Sequence, residues 1–246
     1  MIKNISALVL VRDDAYWSPY VLESIRLFFP KVVMYNCYSQ DGSKDIFEHY
    51  KKKFEKDGTE VVLEHFPDME PRAQIALRNS MIAEAGTEYY MLIDGDEIYP
   101  RYSLTQLMNQ WMDYQVSGKI YGIVNRTEVC ADLQTAYSPN TYTNHHRVYD
   151  RIATWCGTHP GEYARIKQKP ANEYKFSQDV EVFHFHNAIR SPLEHTVPSR
   201  MNRKSKPTYT SGSIEAFNLF EKLPILKTPI ENFVVNPVLA ALQRKL

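Results

Sequence analysis

The chain has 246 residues, 43% of them apolar and 24% charged, and Lys plus Arg balance Asp plus Glu to leave no net charge at pH 7. This composition suits a globular protein with a sizeable core, in one large domain or two small ones, and the absence of a basic excess argues against a broad nucleic-acid-binding surface without excluding a local patch. Cys37, Cys130 and Cys156 lie far apart, and there is no signal-peptide pattern and no long apolar span; structural zinc and a disulfide framework are therefore not expected, and a cytoplasmic protein, at most peripheral to a membrane, is.

Ile5–Val11 is an unbroken aliphatic run, read as a strand buried on both faces, and it ends in Arg12, Asp13 and Asp14. Pro19 opens a helix with Val21, Leu22, Ile25 and Phe28 at helical spacing, closed by Pro30. A second strand, Val32–Tyr35, runs into the polar turn Asn36–Ser43. The helix that follows turns Ile46, Phe47, Tyr50 and Phe54 inward and stops at Gly58. Glu60–Leu63 is a third strand, and Pro71 introduces a helix from Arg72 to about Ala85, with Gly86 as its stop.

The next unit holds the main chemical signal. Tyr89–Ile93 is apolar and stops abruptly at Asp94, Asp96 and Glu97. Burying a carboxylate without compensation is costly, so these acids belong just past a strand's carboxyl end, where open α/β sheets bind ligands. Gly95 gives the backbone freedom to turn, so that Asp94 and Asp96 can aim at one point. Two hard oxygen ligands suit Mg²⁺ or Mn²⁺, with substrate phosphates completing the shell. The plain alternative is a solvated surface turn, and the buried-strand signature directly before it speaks against that. Ser103 and Gln106 then form a capping-box pattern for a helix carrying Leu104, Leu107, Met108 and Trp111. Four strand–helix alternations imply a parallel α/β sheet with right-handed crossovers.

From Ile120 the pattern changes. Ile120–Val129 reads as a long strand, and Arg147–Tyr149, Ala153–Trp155 and Val180–His186 as further strands without helices between them. A mixed or antiparallel extension of the sheet is expected. His184 and His186, two apart on a strand, should share one face, available to metal or phosphate. A basic stretch, Arg190, Arg200, Arg203, Lys204 and Lys206, reads as a mobile lid, an anion contact or a solvated face. Two helices end the chain, the last capped by Asn236 with Pro237 at its first position.

In this order, the motifs resemble glycosyltransferase family 2 over roughly residues 5–186. The resemblance rests on the first strand, the turn Ser39-Gln40-Asp41-Gly42-Ser43, Arg78-Asn79, and Asp94-Gly95-Asp96, which is similar to the family's Asp-x-Asp motif. Trp155-Cys156-Gly157-Thr158-His159 resembles a Trp-x-Gly-x-His segment, and His184-Phe185-His186 a late metal-side histidine. It implies a GT-A (Rossmann-like), mostly parallel sheet flanked by helices, with a mixed extension and a helical C-terminal tail. The implied catalytic domain is 1–188, divided into a nucleotide-sugar half, 1–118, and an acceptor-side half, 119–188; 189–246 would form the tail or lid.

The implied activity is that of a hexosyltransferase-like enzyme, moving a sugar from a nucleoside-diphosphate sugar to a hydroxyl of a glycan, a lipid-linked intermediate or another acceptor, with inversion. The resemblance implies Mn²⁺ or Mg²⁺ held by Asp96 and Asp94 and completed by His186 or His184. Asp94 would also contact ribose, Arg12, Asp13 and Asp41 would frame the nucleotide, and Arg78 would reach the diphosphate. Asn36 stands where the family usually has an Asp against the base, so the family's uracil preference is left open. Glu162, two residues beyond the family's position, is the first candidate for the base that deprotonates the acceptor, with Asp150 and Asp179 in reserve. Two other readings remain: a sugar-phosphate nucleotidyltransferase, disfavoured because Arg12–Tyr16 contains no glycine, and a binding module without catalysis.

Overall fold

The structure is a computed structural model describing residues 1–66, 73–138, 145–157, 163–165, 172–193 and 213–246. The first half alternates as expected: β1 (Ile5–Val11), α1 (Ser18–Ile25), β2 (Lys31–Cys37), α2 (Ser43–Lys56), β3 (Glu60–Phe66), α3 (Gln74–Ala85) and β4 (Tyr89–Asp94). β5 (Glu97–Ile98), α4 (Arg101–Asn109), α5 (Trp111–Val116), β6 (Tyr121–Glu128), β7 (Thr135–Ser138) and β8 (His145–Asp150) follow. The remainder comprises β9 (Thr154–Cys156), β10 (Tyr163–Arg165), β11 (Glu173–Lys175), β12 (Glu181–His184), β13 (Ser213–Ala216), α6 (Leu219–Lys222), a 3₁₀ turn at Pro224–Lys227 and α7 (Pro237–Gln243).

The main sheet runs β3-β2-β1-β4-β8-β6-β12-β5, with β11 beside the first half of β6. β3, β2, β1 and β4 are parallel; β8 is antiparallel between β4 and β6, which makes the extension mixed. β1 is buried along nearly its whole length because both faces are covered. Ile5, Ala7, Val9 and Val11 face the layer of α1, α2, α4, α5 and the C-terminal segments, while Leu8 faces α3 and β9. The chain thus steps outward through β2 and β3 on one side, then crosses under the sheet through α3 to re-enter beside β1. Between β1 and β4 the strand order reverses, and at such a point the carboxyl ends of the strands open into a crevice.

A second consequence is curvature. β4 and β5 are separated in sequence by only Gly95 and Asp96, yet they stand at opposite ends of the path β4-β8-β6-β12-β5. The sheet must curl for both pairings to exist, and this brings the end of β12 to Asp96: Phe185 N donates to Asp96 O at 2.9 Å.

Several local readings change. α1 ends at Ile25, short of Phe28, because Leu27 adopts a φ of +75°. Ser103 does not cap α4, which begins at Arg101; its hydroxyl donates to Glu181 O and accepts from Glu181 N, tying the helix to β12. β12 stops at His184, so His186 lies beyond the strand. The expected caps at Asn236 and Gly86 are present, Asn236 Oδ1 accepting from Val238 N and Leu239 N, and Gly86 at a φ of +63°.

Candidate functional site

Asp94 closes β4 and Asp96 follows two residues on, and each has its own partners. Asp94 pairs in register with Leu10, so its carboxylate stands beside the end of β1. Arg147, which enters from β8, donates to Asp94 Oδ2 at 2.6 Å and also bonds the fully buried Glu97. Arg78 on α3 stands 3.4 Å from Asp94 Oδ1, with its guanidinium 4.5 Å over the ring of Trp155. β9 is held there by Asn79, whose side chain donates to Trp155 O at 3.0 Å and accepts from Trp155 N at 2.8 Å. Asp94 remains the accessible acid, its side chain 30% exposed.

Asp96 is 1% exposed. Arg190 Nη1 lies 3.0 Å from its Oδ2 and His184 Nε2 3.4 Å, yet that oxygen accepts no well-formed hydrogen bond among the described residues. Donor atoms of Asp96, His184 and His186 all lie within 4.8 Å of one another. The set expected to hold a cation is thus split: Asp96 stands with both histidines, while Asp94 pairs with Arg147 and Arg78. Burial alone would raise the Asp96 carboxyl, but the charges of Arg190 and His184 hold it well below the usual range. Burial likewise opposes charge on His184, and the carboxylates of Asp96 and Glu128 outweigh it, pushing the imidazole up to about 10.

The same edge contains a chain of alternating charge. Arg126 stands 2.8 Å from Glu128 and 3.1 Å from His145 Nδ1, and His145 Nε2 lies 2.8 Å from Glu97 Oε1. Burial, with Arg147 and Arg126 nearby, keeps His145 well below its ordinary value, so it is a neutral link between Arg126 and Glu97. Arg190 closes the other end by a two-pronged pair with Asp14, its Nη2 2.7 Å from Oδ2. Gly95 matters here for closeness: a Cβ on it would stand 2.6 Å from Asp14 Oδ2 and 2.8 Å from Val11 Cγ2. The turn needs glycine because another strand's acid passes against it.

The acids expected to frame a nucleotide brace their own loops. Asp13 N donates to Ser39 Oγ and its Oδ1 accepts from Gln40 N; Asp41 accepts from Ala15 N, Ser43 N and Ser43 Oγ. These bonds stitch the loop after β1 to the loop after β2. Arg12 lies 5.9 Å from the Tyr38 ring, and Asn36 is buried, its Nδ2 3.3 Å from His65 Nδ1. Asp150 is not brought to the site. It pairs in register with Tyr89 at the opposite end of β4, about 16 Å from Asp94 at the usual rise per residue, and accepts from Ile152 N. Asp179 lies in the turn before β12, where its charged and polar neighbours are Glu181 and Tyr102. Glu162, His159, Arg200, Arg203, Lys204 and Lys206 lie outside the described residues.

Glu128 and Arg147 escaped the sequence reading as site residues. A signal existed for Glu128: like Asp94, it is an acid at the carboxyl end of a strand, and β6 runs parallel to β4. For Arg147 the signal was weaker, a His145-His146-Arg147 run opening a strand.

The sequence matches no known protein-family pattern and no curated protein. Solved structures do match. TarS 1–349 of S. aureus, a GT-A glycosyltransferase, superposes with a TM-score of 0.52 at 12% identity, covering 76% of this chain and 61% of that one. The mannosyltransferase PcManGT from Pyrobaculum calidifontis, solved with GDP-Man and Mn²⁺, superposes with a TM-score of 0.53 at 13% identity, covering 75% of this chain and 57% of that one. At such identities the likeness is one of fold, and this chain spans less than two thirds of either neighbour.

Proposed function

From a chain with the GT-A fold, we propose a glycosyltransferase that takes a sugar from a nucleoside-diphosphate donor and passes it to an acceptor hydroxyl with the help of a divalent cation. The observation on which this rests is Asp96: a buried carboxylate beside His184 and His186, with donor atoms of all three within 4.8 Å of one another, at the carboxyl edge where the strand order reverses. Its fold neighbour PcManGT is described with GDP-Man and Mn²⁺.

The donor set suits a cation. One carboxylate oxygen and two imidazole nitrogens form a mixed set that Mn²⁺ accepts more readily than Mg²⁺, which prefers oxygen. When bound, such an ion offsets the charge that builds on a departing diphosphate. The chain's own residues do the remaining work. Asp94, oriented by Arg147, offers its exposed carboxylate to ribose hydroxyls, and Arg78 and Arg190 place positive charge beside the diphosphate. Asp13 and Asp41 shape the nucleotide-side loops through backbone bonds. Glu162 is our candidate for the base that takes the acceptor's proton, on the resemblance noted above.

Titration calorimetry with UDP and GDP, each with Mn²⁺, tests the reading. At least one nucleotide should bind, and Asp96→Asn should weaken Mn²⁺-dependent binding by tenfold or more, the order expected for loss of a charged ligand. No binding of either nucleotide, or binding indifferent to Asp96→Asn, sinks it. Hydrolysis of a panel of nucleotide sugars without acceptor then identifies the donor.

A further inference from the structure

Glu128 ends β6 as Asp94 ends β4, and it is 7% exposed. β6 and β12 are parallel neighbours whose register sets Glu128 opposite His184. Both carboxylate oxygens stand 2.9 Å from His184 Nδ1, and Arg126 Nε lies 2.8 Å from Glu128 Oε1. His184 Nε2 faces the other way, toward Asp96 Oδ2 and within the group formed with His186.

Holding a cation requires the neutral imidazole, with one N–H and one free lone pair, so His184 gives up one proton when an ion binds. A carboxylate that accepts from Nδ1–H therefore leaves the lone pair on Nε2, the nitrogen facing Asp96. We propose that Glu128 is the positioning residue of the cation site: it fixes the ring orientation and tautomer of His184 and, through its charge, raises the donor strength of Nε2. This rests on the cation reading given above. The competing explanation is that Glu128 only neutralises Arg126. Arg126, however, also has His145 Nδ1 at 3.1 Å, whereas both oxygens of Glu128 lie at bonding distance from His184.

The test titrates Mn²⁺ alone into the full chain, with free ion read by electron paramagnetic resonance. Wild type, Glu128→Gln, Glu128→Ala and Asp96→Asn are compared, and thermal unfolding in EDTA reports the structural cost of each change separately. Loss of a carboxylate behind a ligating histidine weakens metal binding about 10–100-fold. Glu128→Gln keeps an acceptor oxygen and the shape, so a drop near tenfold is expected there and a larger one for Glu128→Ala. Wild-type affinity in Glu128→Gln overturns the proposal even if Glu128→Ala fails to fold, because the charge is then irrelevant. Wild type that takes up Mn²⁺ no better than Asp96→Asn overturns the cation reading itself, and the role of Glu128 with it.

Discussion

Glu97 has no exposed surface, and its compensation comes from Arg147 and His145. Replacing one partner of a buried ion pair leaves an uncompensated charge, a loss of about 3–5 kcal/mol. Arg147→Met should therefore lower the urea-unfolding free energy by that amount; a change under about 1 kcal/mol would show that water screens the pair. His145 gives a pH dependence. It is held neutral in the fold, so below its ordinary value of about 6.5 the unfolded chain binds a proton that the folded chain refuses. Its contribution to stability is complete above that pH and is lost as pH falls toward the depressed folded value, at up to about 1.4 kcal/mol per pH unit. Urea unfolding in EDTA at pH 7.5 and 5.5 should show a shallower loss for His145→Gln than for wild type, and equal losses would reject the assignment. At this scale the place of Asp96 just past an apolar strand was legible in the sequence, but its burial beside Arg190 and His184 was not. Nor was the pairing of Asp94, because its arginine comes from a strand 53 residues away.

Among the elements, the long ones were legible. β1, α2 and β4 declare themselves through unbroken apolar runs or helical spacing, and their caps and stops are local chemistry. β5 has two residues and β11 three, too few to show any period, and each exists only because a neighbour is there to pair with it. Ser103 illustrates the converse. Its capping pattern is local, but the distant backbone of Glu181 takes its hydroxyl instead. Asn79 does similar work between α3 and β9, standing in for a strand neighbour. Asn79→Ala removes both bonds at once. A destabilisation of about 1–3 kcal/mol, with faster amide exchange at Trp155, is expected; unchanged exchange there would mean that β9 is held by its apolar contacts alone.

Over the whole molecule, the C-terminal segments are part of the fold. Leu219, Leu223, Leu226 and Leu239 are buried in the same core as β1 and α1, and Trp17 Nε1 and Asn236 Nδ2 both donate to Ile189 O. Deleting residues 213–246 should expose that face, abolish the near-ultraviolet circular dichroism of the buried aromatics and cause aggregation; a folded, monomeric product would show the segment to be dispensable. The expectation of a helical tail caught its last helix, whereas its docking against α1 carries no local pattern. Strand order is likewise hidden in sequence, since parallel strands of similar composition do not announce their neighbours. Only the structure shows that the sheet curls to bring β12 to Asp96.

Arg190 joins Asp14, from the first strand's loop, to Asp96, from the turn after the fourth. While the polypeptide is still emerging from the ribosome, those two acids have no guanidinium to share for most of synthesis. Neither can leave water cheaply until residue 190 has been translated, so the rim that holds them should set late, after the four βα units have emerged.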